Sequence, residues 1–347
     1  QSILNSDEIT EHSIFAYLLF KEFSPYPEFA RVILYYNKKY DINGAIGNIV
    51  VPDEAYLLSL AVAIAEVIVN SKEKDIKKNV AERIKEDHFK PEYKQVLEQL
   101  CEENMLSRIT TGEYKTELLS YIGVAKLSKA EIMSLLRTFM YAITFRTQYN
   151  FAHAKTMETI VSLLGQITKQ NWNMMEKVRA AALLYNIGML TLDEETFVKD
   201  HSPRELHIIL SEAIEKTNVI FEEAELIDIV DMFNATIGEK TLSEKHMLMG
   251  KDIISGANMI NLADILASLM EQRCYAYETS CRDIFDELKE ISKNEDLYLP
   301  MIDLMEEYVD DIEARVKANR ADIGKHYHNV ISGFEKLKTF LIDRQKD

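Results

Sequence analysis

Cysteine, proline and glycine are scarce in this chain, at 3, 6 and 11 of 347 residues. Cys101, Cys274 and Cys281 form no even set for a disulfide framework, and no CxxC pair suited to zinc occurs. That usage fits a reducing compartment, and a cytoplasmic location is expected. Few glycines and prolines leave few places to break a helix, so an all-α protein is expected. Positive charge is also short: 40 Lys and Arg stand against 57 Asp and Glu, a net −17. An acidic body repels phosphate backbones, which argues against nucleic acid as a partner. No long apolar run exists. The longest, residues 55–69, is broken by Glu66 and is too short to span a bilayer. No secretion signal, lipidation motif, Gly-rich phosphate loop or serine or cysteine nucleophile motif is visible. A first residue of Gln1 rather than Met reads as a processed or trimmed sequence.

What is present is helical pattern. Hydrophobic residues make up 47%, enough to build cores for two domains at this length. Ser6-Asp7-Glu8 suits a helix start, followed by an apolar face through Ile14, Tyr17, Leu18 and Phe20. A second helix is expected to end near Tyr40, before a loop with Gly44 and Gly47. Residues 53–70 read as a strongly apolar helix, with Asp53 or Glu54 in its first turn and Asn70 at its end. Glu66 lies among Ala and Val there, where a carboxylate needs a partner or a raised pKa. Ser128 supplies a cap for a long helix after it, and residues 302–345 read as charged helices with Gly324 and Gly333 as their breakers. The order also repeats. The stretch LAVAIAEVIV and the segment holding Pro91 are echoed by MINLADILASLM and the segment holding Pro300. Glu66 then matches Asp264, 198 residues on, and Pro91 matches Pro300, 209 residues on.

Residues 179–190, RAAALLYNIGML, run an apolar helix into a polar pair, Tyr185-Asn186, closed by Ile187-Gly188. This resembles the core motif of HD-domain metal phosphohydrolases, most of all the HD-GYP branch that hydrolyses cyclic di-GMP. In that family the pair is His-Asp. With a preceding His, later His residues and an Asp in an apolar helix, it holds metals that activate a bridging water. Carried across, His153 takes the place of the first His, 32 residues before the pair. Tyr185-Asn186 take the pair, and Met189 stands near the family Lys. Glu212 takes the later-helix His, His207 being more than a turn too early. Asp231-Met232 take the His pair, Ala235-Thr236-Ile237-Gly238 the GYP loop, and Asp264 the last Asp. Glu271-Gln272-Arg273-Cys274-Tyr275 looks like the family's RPYR-like turn.

In the first copy His12 matches the later-helix His, Tyr35-Tyr36 the His pair, residues 40–46 the GYP loop and Glu66 the Asp. No room remains before Gln1 for the earlier ligands. The resemblance implies HD-domain-like helical bundles in tandem: a partial unit over 1–110, a connector over 111–145, a unit over 146–310 with a degenerate metal site, and C-terminal helices over 311–347. Neither copy keeps a ligand set for two metals. It implies a non-catalytic signalling or scaffold protein with a protein partner or self-association, and no metal or other cofactor. The alternatives are a cyclic di-GMP-binding sensor and a residual metal-dependent cyclic dinucleotide phosphodiesterase. Only Arg179, Lys38 and Lys39 supply positive charge near the motifs, which weighs against a bound nucleotide. A buried Asp264 would need a partner, and His153, Asn186 and Tyr185 are the candidates.

Overall fold

The computed structural model describes residues 6–37, 40, 45–46, 49–85, 89–102, 105–124, 126–147, 152–193, 196, 203–237, 251–271, 281–293 and 299–344. The fold is all-α. Its only described strands are two-residue β1 (Ala45–Ile46) and β2 (Ile49–Val50), paired antiparallel. The chain divides into two compact units. One comprises Gln1–Ser134 and His328–Asp347, the other Leu135–Tyr327. Both divisions fall inside helices, α8 (Lys129–Thr147) and α16 (Val309–Arg344).

The first unit carries α1 (Ser6–Phe23), α2 (Ala30–Tyr35), α3 (Asp53–Asn70), α4 (Ile76–Ile84), α5 (Pro91–Glu102), α6 (Met105–Thr110) and α7 (Tyr114–Val124). It also takes the start of α8 and the end of α16. Helix α2 stops at Tyr35, short of the expected Tyr40, and the Asn37 side chain in the turn after it donates to Ser13 Oγ at 2.9 Å. Ile14, Leu34, Tyr35, Val51, Ala55, Tyr56 and Phe334 form one core, with Phe15 stacked on Phe334. Helix α3 has the expected bounds. Asp53 and Glu54 face the positive end of its dipole, and Asn70 Nδ2 donates to the Glu66 carbonyl in the last turn. Lys90 and Tyr93 both hold the Asp53 carboxylate, at 2.5 and 2.6 Å, which ties the start of α5 to the start of α3.

Glu66 is exposed, contrary to the expectation of a buried carboxylate among Ala and Val. Helix α3 buries Ala55, Tyr56, Leu60, Ala63 and Ile64 and leaves Leu57, Ala61, Ala65 and Val69 towards solvent. Its composition is apolar nearly all round, but only one face is covered. Ser128 caps α8 as expected: its Oγ accepts from the Glu131 N–H, and Glu131 Oε2 accepts from the Ser128 N–H, a reciprocal capping box.

The second unit holds α9 (His153–Ile167), α10 (Trp172–Leu183), a 3₁₀ turn (Ile187–Thr191), α11 (Pro203–Glu223), α12 (Ile227–Ile237), α13 (Lys251–Leu269), α14 (Cys281–Ile291) and α15 (Leu299–Glu306). Asn171 caps α10 through its side chain, which accepts from the Asn173 N–H. The core joins Met157, Ile160 and Leu164 of α9 to Val178 and Ala181 of α10 and to Met259, Ile260 and Ala263 of α13. Helix α16 runs unbroken past Gly324 and Gly333, where breaks were expected. Ile312, Val316, Ile323, Val330 and Phe334 are buried along it, and that packing outweighs about 1 kcal/mol of lost propensity at each glycine.

Candidate functional site

The site grows from the end of α10. Leu184 leaves helical geometry, its N–H still bonded to the Ala180 carbonyl, and Tyr185-Asn186 make the turn into the 3₁₀ segment. Gly188 locks this turn against α11. Its N–H donates to Thr217 Oγ1 at 3.0 Å, and the Thr217 hydroxyl donates to the Ala213 carbonyl at 2.8 Å. A Cβ on Gly188 would lie 1.9 Å from the Ala213 carbonyl oxygen and 2.7 Å from the Thr217 nitrogen, so only glycine fits. Met189 beyond it is buried with Ile143, Leu192 and Ala213.

The clamped turn aims Tyr185 at α13. Its ring packs against Phe233 at 5.5 Å between centroids, and its hydroxyl donates to Asp264 Oδ2 at 3.1 Å. His153, in the first turn of α9, reaches the other oxygen, with Nε2 2.8 Å from Asp264 Oδ1. An ionised carboxylate only accepts, so Nε2 carries the proton in this bond. His153 Nδ1 is buried without a hydrogen-bond partner among the described residues. Burial opposes the charged imidazole, but the hydrogen bond and charge of Asp264, with Glu271 adding, outweigh it and raise the His153 pKa. Burial and then the charge of Asp264 push the Tyr185 phenol well above its usual value, so it stays a protonated donor. Burial likewise raises the Glu271 carboxyl, against the pull of His153 and Arg320.

His153 and Asp264 have the chemistry of metal ligands, but their facing atoms are engaged with each other. Each Asp264 oxygen accepts from a protein donor, and the His153 nitrogen facing it holds a proton. Among the described residues no group of three or more His, Cys, Asp or Glu side chains converges to hold a metal ion.

Of the candidate ligand positions, three therefore meet: His153, Tyr185 and Asp264. Asn186 is half-buried at the head of the 3₁₀ turn, and its side chain makes no capping bond. Glu212 is exposed, because α11 turns Ala213 and Thr217 towards the Gly188 turn and leaves Glu212 outward. Asp231 is half-buried and Met232 lies in the core. In the first unit His12 is exposed, since α1 buries its neighbours Ser13 and Ile14 instead. Tyr35 is part of an apolar core, Tyr36 is half-buried and Glu66 faces solvent. Lys38, Lys39, residues 41–44, Gly238 and residues 272–275 lie outside the described residues, as do the side chains of His207, Ala235, Thr236 and Ile237.

A second polar cluster lies one and a half turns further along α9. Glu158 is buried, and its Oε1 accepts from Arg137 Nη2 at 2.8 Å and from Arg179 Nη2 at 2.7 Å, while Oε2 accepts from Lys155 Nζ at 2.5 Å. Burial would raise its pKa, but Lys155 and Arg137 draw it down to about 2. The sequence pointed to Arg179 alone. Arg137 comes from α8 and Lys155 from α9, and the usable signal was a glutamate at helical spacing among core residues, three positions after a lysine.

The chain matches no protein-family model, and comparison with curated proteins and with solved structures returned no significant match. The HD-GYP resemblance rests on its quoted motifs alone.

Proposed function

We propose that this chain is a non-catalytic protein with HD-GYP-like bundles, and that it works by binding a partner protein through its first unit. The absence of catalysis is supported by Asp264, whose two oxygens are taken by His153 and Tyr185 where the family would place metal. The binding role is supported by an apolar groove of about 860 Å³ in the first unit, formed by α3, α5 and the segment leading into α7. Leu57, Ile64, Val69, Val96, Ile109 and Tyr114 line it, and Val69 is 83% exposed. Next to it α7 leaves Leu118, Leu119, Tyr121 and Val124 in water. A monomer gains nothing from this much apolar surface in solvent.

The occupant that fits is a helix with one apolar face and basic flanks. The groove takes the apolar face, and the first unit's own excess of acid, 24 Asp and Glu against 20 Lys and Arg, favours basic flanks. Fluorescence anisotropy tests this with a labelled amphipathic Leu/Lys peptide of about 18 residues, long enough for five turns, and a Leu/Glu peptide of the same pattern. The Leu/Lys peptide binds saturably, and Val69→Lys or Val96→Lys weakens it about tenfold or more, equivalent to about 1.4 kcal/mol. Equal binding of both peptides, or no effect of either variant, would refute the reading. Hydrolysis of cyclic di-GMP with added manganese or iron would refute its non-catalytic part.

A further inference from the structure

The second unit contains a cavity of about 340 Å³ that the Asp264 network does not use. Arg137, Lys155, Arg179, Arg315, Ser162 and Asn319 line it, with Glu158 the one carboxylate among its described lining residues. A buried glutamate needs a cation to balance it, and Glu158 has three. Asp311 holds Arg315 through two contacts of 3.0 Å to its Nε. Counting that pair as neutral still leaves two surplus positive charges facing one small cavity, in a chain whose net charge is −17.

The arginines do not spend their forks on Glu158. Each gives it Nη2, and both Nε atoms are buried with no hydrogen-bond partner among the described residues. All three cations stay partly open to solvent, with 35, 19 and 23% of the side chain exposed for Arg137, Lys155 and Arg179. Ser162 and Asn319 add neutral polar groups to the same wall, and Asn319 is positioned by its bond to Thr159 Oγ1 at 2.6 Å.

From this geometry we infer that the cavity binds the phosphate or pyrophosphate group of a small soluble metabolite. A phosphate monoester carries about −1.5 to −2 charge at neutral pH, which matches the surplus, and three oxygens that accept from guanidinium forks. The cavity lies at the lower end of the volumes that hold small molecules, roughly 300–1,000 Å³. Glu158 organises the cations, and the ligand completes their neutralisation. This inference is independent of the protein-binding role given to the first unit.

Isothermal titration of the full chain with inorganic pyrophosphate, AMP and acetate at neutral pH tests it. Pyrophosphate and AMP bind at one per chain, and acetate, a monoanion, does not bind. AMP tighter than pyrophosphate identifies a nucleoside monophosphate group as the better fit, and the reverse identifies a diphosphate group. Arg179→Gln weakens binding, but it also removes a partner of Glu158. Two variants that leave Glu158 intact decide the matter: Arg315→Gln and Ser162→Asp each lower affinity about tenfold or more. Lys177→Gln, on the exposed ion pair with Asp228 outside the cavity, changes nothing. No saturable heat up to about 10 mM pyrophosphate, or affinity unchanged in both Arg315→Gln and Ser162→Asp, would overturn the inference.

Discussion

Replacing Glu158 by Gln keeps the side-chain shape and removes the charge that three cations share. The energetic consequence follows from its pKa. Lys155 and Arg137 hold it at about 2 against an unfolded value of 4.5. That depression corresponds to about 3 kcal/mol of folding free energy at neutral pH. Glu158 is only 3% exposed, so solvent screening of its own charge is slight. The sign is fixed by the direction of the shift. A depressed carboxylate stabilises the fold above its unfolded pKa and loses that contribution as pH falls through its folded value. Trp172, the only tryptophan, begins α10 in the second unit and reports on its unfolding in urea by fluorescence. At pH 7 Glu158→Gln is expected to lose about 3 kcal/mol. At about pH 3 the deficit shrinks, because the wild-type carboxylate there is protonated in the unfolded chain and most of its advantage is gone. A loss below about 1 kcal/mol at pH 7, or an equal loss at both pH values, would refute the ion cluster as a stabilising element.

Tyr185→Phe removes the hydroxyl from Asp264 Oδ2 and is expected to cost about 1–2 kcal/mol in the same unfolding experiment. Gly188→Ala forces a methyl group into the Ala213 carbonyl and is expected to cost about 3 kcal/mol or more, visible as a lowered Tm. His153 has a raised folded pKa, so its contribution is fully present below about pH 6.5 and fades as pH rises through the folded value. The stability gap between wild type and His153→Gln therefore narrows as pH rises above the ordinary histidine value and through the raised folded one, and a gap that widens would contradict the Asp264 contact as its cause.

Local signals in the chain were read well where one helix decides the outcome. The bounds of α3 and the Ser128 cap of α8 both depend on neighbours within a few residues. Readings that depend on what covers a face fared differently. Glu66 sits in an apolar sequence yet on the uncovered side of α3, and composition carries no record of which side is packed. Helix α16 ignores two glycines because tertiary contacts hold it. At the site, Asp264 was matched with His153 and Tyr185 as partners, and the structure joins all three across separations of 111 and 79 residues. Asn186, the third candidate, is half-buried at the head of the 3₁₀ turn. The Glu158 cluster escaped notice because its cations arrive from α8, α9 and α10, and only the packing of those helices shows that they share one carboxylate.

We propose that the position matching the HD-GYP metal site is closed by the protein's own groups, with His153 and Tyr185 on the two oxygens of Asp264. Elemental analysis of protein purified without chelators, beside a competent HD-GYP enzyme, measures this directly. The expected result is less than about a tenth of a metal per chain. One or two tightly held metals per chain would mean that Asp264 and His153 exchange their present bonds for coordination, and the account of a closed, non-catalytic site would be wrong.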